Sequence, residues 1–172
     1  MAVLIGAVLF VTTRSDDSGN TSSSPPSRSE TTLASTTTGV SDSKNEVVRR
    51  LREILDVREQ AFRERNAALF DNVYSSDCTC LRAGRDAIAA LKKEKVLWRN
   101  RSISIEAQSA RGMSDRLWEV VAIFVSSSFR IETEKGVLVR DVPGERIRYR
   151  FLLVRASDAD PWLLGSASPA EG

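Results

Sequence analysis

Histidine is absent from all 172 residues, and that one absence removes several chemistries together. Ser-His-Asp and Cys-His nucleophilic catalysis need an imidazole base, and the commonest zinc centres need an imidazole ligand. Cysteine is scarce too: Cys78 and Cys80 are two thiols where an all-thiolate zinc site needs four. No motif implies a metal or any other cofactor. Charge of one sign is also missing. The 25 Lys plus Arg nearly balance 23 Asp plus Glu, for a net charge of +2, without the clustered basic excess of a nucleic-acid binder. Long apolar runs outside the C-terminal half are confined to the first eleven residues, MAVLIGAVLFV, which carry no charge.

What is there divides the chain into three. Residues 1–13 read as a partial hydrophobic membrane anchor or the remnant of a signal. As a helix they would cover about 20 Å, against a hydrocarbon core of about 30 Å. The first basic residue, Arg14, follows the apolar run instead of preceding it, and no A-x-A cleavage pattern comes after. Three origins account for this: a start placed too late, a shortened or weak signal, or an apolar start that packs on the domain. The first two share one expectation, a cell-membrane tether with the rest of the chain extracytoplasmic.

Residues 14–44 read as a disordered stalk. Between 12 and 44, 18 of 33 positions are Ser or Thr, and Leu33 and Val40 are the only large aliphatics. Such a tract buries too little surface to offset its ordering entropy. It suits a flexible, O-glycosylatable linker, or a plain tail.

From Asn45 to Gly172 apolar periodicity returns. Ser43 with Glu46 fits a capping box at a helix start. Val47, Leu51, Ile54, Leu55, Ala61, Phe62 and Leu69 then recur at helical spacing to about residue 71. Arg49/Glu53, Arg52/Asp56 and Glu59/Arg63 are four residues apart and predict a solvated face. The run SSDCTC at 75–80 interrupts the pattern, and a second helix is expected from Gly84 or Arg85 to Trp98.

After Asn100 the period becomes two, with Ile103, Ile105 and Ala107 sharing a side. The stretch 116–133 is apolar on both faces between Trp118 and Val125, and Ser126, Ser127 and Ser128 suggest a bulge or bend there. Strands over 136–142, 146–156 and 161–166 follow, with Ile147, Tyr149, Phe151 and Leu153 inward and Arg148 and Arg150 outward. Helices first and antiparallel strands afterwards predict an α+β domain with helices on one face of the sheet.

The order of elements, with YSSDCTCL at 74–81 followed by RDAIAAL at 85–91, resembles the NTF2-like (SnoaL-like) cone-fold superfamily across 45–168. Within it the run is similar to uncharacterised, membrane-tethered actinobacterial members, and Arg outnumbers Lys 20 to 5 as in a GC-rich genome. The resemblance implies a cone: N-terminal helices packed on a long, bent antiparallel sheet, often around a pocket. It does not imply a chemistry, since the superfamily hosts isomerases, dehydratases, transport factors and secretion scaffolds.

In an exported domain Cys78 and Cys80 pair most economically with each other, stapling the loop between the helices. A redox pair would lack the C-x-x-C spacing that lowers a thiol pKa, and free thiols would imply the cytoplasm. An enzyme of the related type would need a pocket carboxylate. The candidates are Asp71, Asp77, Glu106, Glu119 and Asp141, with Tyr74 and Tyr149 as hydroxyl partners. Strand parity turns Glu106 to solvent. Glu119, in phase with Val121 and Ile123, is expected to pair with Arg148 or Arg150. Arg146, Arg148 and Arg150 form a basic stripe, balanced by Glu132, Glu134 and Glu145 or serving a partner. Trp98, Trp118 and Trp162 read as core anchors.

The resulting expectation is a non-catalytic interaction or sensing domain. It would have no catalytic residue, and Arg148, Arg150 and Glu119 would be its candidate contacts. The partner would be a protein or a second copy meeting the sheet face. The alternatives are an isomerase or dehydratase-type enzyme, and a scaffold subunit of an envelope transport assembly.

Overall fold

The computed structural model describes residues 38–170, with side chains from position 44. The N-terminal anchor-like segment and most of the stalk lie outside the described residues. Helix α1 (Thr38–Glu64) begins earlier than the Ser43 capping box suggests, within the stretch assigned to the stalk. Its apolar stripe is buried end to end: Val47, Leu51, Ile54, Leu55, Ala61 and Phe62. Arg65 takes a left-handed φ of 52° and stops the helix. The chain then tightens into a 3₁₀ helix (Ala67–Asn72), so the single long helix expected to residue 71 is two elements. Asn66 starts the second by accepting a hydrogen bond from the Ala68 amide at 3.2 Å.

Helix α2 (Thr79–Glu94) begins and ends earlier than expected. Lys95, at φ 54°, closes it, which leaves Trp98 on the following strand. Gly84 is needed where α2 meets the 3₁₀ helix, because a Cβ there would stand 2.8 Å from the Phe70 ring.

Among the described residues seven strands form two antiparallel sheets. β1 (Val96–Arg99), β4 (Phe129–Thr133) and β5 (Leu138–Val142) are ordered β1-β4-β5. β2 (Ile103–Ser114), β3 (Leu117–Ser126), β6 (Glu145–Val154) and β7 (Leu163–Pro169) are ordered β2-β3-β6-β7. The serine run is the corner between them. The long 116–133 stretch is therefore two strands in different sheets, and the bend expected at the serines is a full break. Hydroxyls there satisfy backbone groups that leave the ladders: Ser127 Oγ accepts from the Ser102 amide at 2.9 Å, and Ser126 Oγ from the Glu145 amide at 3.2 Å.

β3 alternates strictly. Trp118, Val120, Ala122 and Phe124 are buried against the helices, while Val121, Ile123 and Val125 are half-buried on the outer face. β6 places Tyr149, Phe151 and Leu153 inward, as its parity predicts. On β2, Ile103, Ile105 and Ala107 pair with Ser126, Phe124 and Ala122 and so share one side, as the parity predicts; Ala107 is nonetheless exposed, and the register shifts just after it. The segment between the helices docks on the sheet edge: Leu164 donates to Val73 O at 2.8 Å, and Ser75 donates to Leu164 O at 3.0 Å.

Candidate functional site

Helix α1 carries two charges into its own apolar stripe. Position 58 lies four residues after Ile54 and four before Phe62, so its side chain must point at the core. Arg58 and Glu59 are only 6% and 7% exposed. Glu59 Oε1 accepts from Arg58 Nη1 at 3.0 Å and also from Arg101 Nη1. Asn100, at φ 61°, turns the chain between β1 and β2 ahead of Arg101. The Arg101 guanidinium lies 4.8 Å from the centre of the Trp98 ring and 5.3 Å from that of Phe129. Phe62 stacks on Trp98 with centroids 4.5 Å apart, and Arg58 lies over Phe62 at 4.8 Å. Arginines and aromatic rings thus alternate through the layer between α1 and the three-stranded sheet.

The electrostatics follow from this crowding. Burial, reinforced by the like charge of Arg58, lowers the Arg101 pKa to about 10. Burial raises the Tyr74 hydroxyl, which Arg58 partly offsets through its charge and a hydrogen bond. Burial also raises Tyr149. A cleft of about 330 Å³ opens beside this cluster, lined by Glu59, Phe62, Arg63, Trp98, Arg99, Asn100 and Arg101. A wider groove of about 560 Å³ shares Asn100 and runs along Phe129, Arg130 and Asp141. Among the described residues no group of three or more His, Cys, Asp or Glu could hold a metal ion.

The residues singled out in the sequence lie elsewhere. Glu119 is on the outer sheet face, accepting from Arg111 at 3.3 Å and Arg150 at 3.2 Å. Arg148 is exposed on the same face, opposite Ile123. Glu106 faces solvent and receives Arg146 at 2.8 and 2.5 Å, a hydrogen-bonded pairing that lowers its pKa. The arginine stripe is therefore balanced on its own face by Glu106 and Glu119. Glu132 and Glu134 do not contribute, since they pair with Arg99 and Arg130, and with Arg65. Asp71 is exposed and paired with Arg85. Asp77 and Asp141 are exposed as well, so none of the five acids reaches the cone interior. Tyr74 and Tyr149 do, and both are buried in the core.

Trp118 and Trp162 are core residues, whereas Trp98 is half-buried and walls the cleft. Cys78 precedes α2 and Cys80 sits in its first turn. Their sulfurs lie at disulfide-forming separation with Cα atoms 5.1 Å apart. Sequence reasoning missed Arg58, Glu59 and Arg101, and it set the Glu59/Arg63 pair on a solvated face. The signal was available for Arg58, which falls on the same helical stripe as Leu51, Ile54, Leu55 and Phe62. No local pattern marks Arg101.

A bent antiparallel sheet with helices packed in its concave side is the architecture the resemblance implied. The fold is an NTF2-like cone. One solved structure superposes on that architecture, and two further matches are weaker. The intermembrane space region of the chloroplast protein ARC6 superposes with a TM-score of 0.57 at 12% identity, covering 77% of this chain and 96% of that one. An NTF2-like protein of unknown function in nutrient uptake from Rhodospirillum rubrum matches at 13% identity and a TM-score of 0.43, covering 69% and 96%. A ketosteroid isomerase-like protein from Erwinia carotovora atroseptica matches at 12% and 0.41, covering 70% and 93%. At such identities the likeness is one of fold alone. No protein-family model and no curated protein matches the sequence.

Proposed function

We propose that the chain is a non-catalytic recognition module, held outside the cytoplasmic membrane by its apolar N-terminal segment and Ser/Thr-rich stalk. Its binding surface is the outer face of the four-stranded sheet, and its partner there is a protein or a second copy of the chain. The observation that carries this reading is the half-buried aliphatic stripe Val121, Ile123 and Val125 on β3. Ion pairs of Arg146 with Glu106, and of Arg150 and Arg111 with Glu119, flank it. An apolar centre with a satisfied polar rim is the anatomy of an interface. A face of four strands, with β3 ten residues long, has a footprint of about 33 by 19 Å, or roughly 600 Å². That is close to the ~800 Å² each partner contributes to a standard interface. Among the described residues the one deeply buried acid, Glu59, is already the shared acceptor of two guanidiniums, so none of the described carboxylates stands uncommitted in the cone interior.

The test is sedimentation of the full chain in mild detergent, together with photocrosslinking from position 123 in the native host. The expected result is concentration-dependent self-association or one discrete crosslinked protein. Ile123→Arg should abolish either while shifting stability by no more than about 0.5 kcal/mol, as for an ordinary surface change. A chain that stays monomeric and yields no crosslink from this position ends the reading.

A further inference from the structure

Exposed aliphatics and unpaired lysines gather at one end of the three-stranded sheet. Among the described residues, three of the four large apolar side chains that stand more than half exposed are consecutive: Val137 at 62%, Leu138 at 51% and Val139 at 52%. They lead out of the turn between β4 and β5 into β5, the outer strand of its sheet. Gly136, at φ 79°, makes that turn, and the Val137 amide donates to Thr133 Oγ1 at 3.1 Å. β5 is exposed at every position from Leu138 to Asp141. Successive strand residues turn to opposite faces, so neither face of this hairpin is covered.

The lysines converge on the same place. The chain has five, and four of them are Lys92, Lys93, Lys95 and Lys135. Lys92 and Lys93 lie in the last turn of α2. Lys95 ends that helix, and its carbonyl accepts from the Glu134 amide of the hairpin turn at 3.1 Å. Thr133 pairs with Val96 on one side and donates to Val137 O at 2.9 Å on the other, so Lys95 and Val137 lie roughly 10 Å apart, two strand spacings. All four lysines are exposed, and none forms an ion pair among the described residues. Residues 92–95 and 134–140 hold five basic side chains and two acids, a net charge of +3 against +2 for the whole chain. Of those acids Glu134 is already engaged by Arg65 at 2.7 Å, which leaves Glu94.

We propose that this hairpin and its lysines dock the domain on an anionic phospholipid surface. Val137, Leu138 and Val139 enter the headgroup layer, and the ammonium groups meet lipid phosphates. A flat protein partner would cover one face of the hairpin, whereas a bilayer interface surrounds both. Lysine suits that setting, because its stem lies along apolar surface while the ammonium stays in water. Lys92 and Lys95 are one helical turn apart, about 5 Å, inside the Debye length of about 8 Å at physiological salt, so their fields add. Apolar insertion and basic charge are each weak alone, and firm membrane binding takes two such signals together. The inference does not rest on the sheet-face reading, since that face belongs to the other sheet. A tether at the other end is compatible with it. The Arg65–Glu134 pair sets the hairpin at the far end of α1 from the stalk, about 40 Å away, and the 37 residues before α1 can extend to about 120 Å.

The test is amide hydrogen exchange of the full chain, alone and with vesicles of phosphatidylcholine or of phosphatidylcholine and phosphatidylglycerol in equal parts. Residues 1–13 carry no charged side chain, so the neutral vesicles account for whatever that segment contributes. Exchange over 134–142 should slow with the anionic vesicles and not with the neutral ones. The effect should vanish at about 1 M salt, where the Debye length is near 3 Å. A lysine at an anionic surface is worth roughly fivefold in partitioning, about 1 kcal/mol. Lys95→Gln with Lys135→Gln should therefore cut the anionic-to-neutral ratio of bound protein about 25-fold, and Leu138→Asp should abolish the protection. All three positions are exposed, so the fold stands. Ile123→Arg, which probes the sheet face, should change neither quantity, so the two readings fail separately. No protection with anionic vesicles overturns the proposal, as does equal protection with both kinds or a ratio unchanged in the lysine variant. Protection that grows with protein concentration in the absence of vesicles overturns it too, and gives the edge of β5 to a second copy.

Discussion

Glu59 and Glu119 offer a controlled comparison, because each is a carboxylate bonded to two arginines and only their surroundings differ. The Glu59 side chain is 8% exposed between partners at 7% and 11%. The Glu119 side chain is 19% exposed, and its partners are 69% and 53% exposed. Glu59→Gln keeps the shape and removes the charge. Each guanidinium contact is worth about 4 kcal/mol at an effective dielectric near 20, and the relief of desolvating one carboxylate returns several kcal/mol. The mutual repulsion of Arg58 and Arg101 then stands uncompensated. The expected net loss is about 3 kcal/mol, the low end for breaking a buried pair, since the amide oxygen still accepts a hydrogen bond. With a urea m-value of about 1.5 kcal/mol/M, the unfolding midpoint should fall by about 2 M. Glu119→Gln should cost under about 1 kcal/mol, like other exposed pairs. The assay is urea denaturation of the full chain followed by tryptophan fluorescence at pH 7. Equal losses for the two variants would refute the argument that burial, not the number of partners, sets the cost.

Three further outcomes are expected. Both tyrosines of the chain have pKa values raised above 10.0 by burial, so phenolate absorbance should lag behind that of a denatured control, and a native midpoint at the ordinary value would contradict the burial. Above that pH the unfolded chain has released protons that the folded chain retains, so these two groups lower stability as pH rises. Arg101, held to about 10, acts with the opposite sign, because there the unfolded chain binds more protons; the phenolate signal isolates the tyrosines. Gly84→Ala places a methyl 2.8 Å from the fully buried Phe70 ring. It should destabilise by about 1–3 kcal/mol despite the helix propensity of Ala, and a rise in urea midpoint would disprove the tight contact. Cys78 and Cys80 from the native host should resist alkylation until reduced, with an unreduced mass two hydrogens low. Reduction should cost only about 1–2 kcal/mol because the closed loop is so small. Free alkylation without reductant would argue against both the bond and export.

Residues 47–62 and 145–154 were legible from sequence because periodicity is a local property. A helix or strand with one buried face must repeat its apolar residues at 3.6 or 2, and the observed burial of Leu51, Phe62, Tyr149 and Phe151 follows those periods. Parity alone also turned Glu106 and Arg150 outward. Boundaries were less legible. The 3₁₀ turn after Arg65, the early end of α2 and the break at the serines depend on left-handed residues and on hydroxyls finding backbone partners across the fold.

The sequence by itself determined the α+β class, the order of helices before strands and the inward faces of the elements. Those follow from patterns a few residues long. Only tertiary structure decided that Arg101 would meet Glu59 from 42 residues away, that Arg146 on β6 would be neutralised by Glu106 on β2, across the intervening β3, and that Trp98 would wall a cleft. Ion pairs and cleft walls depend on which chain segments come together and how much water remains between them. Neither quantity is written in the spacing of residues along one strand or helix.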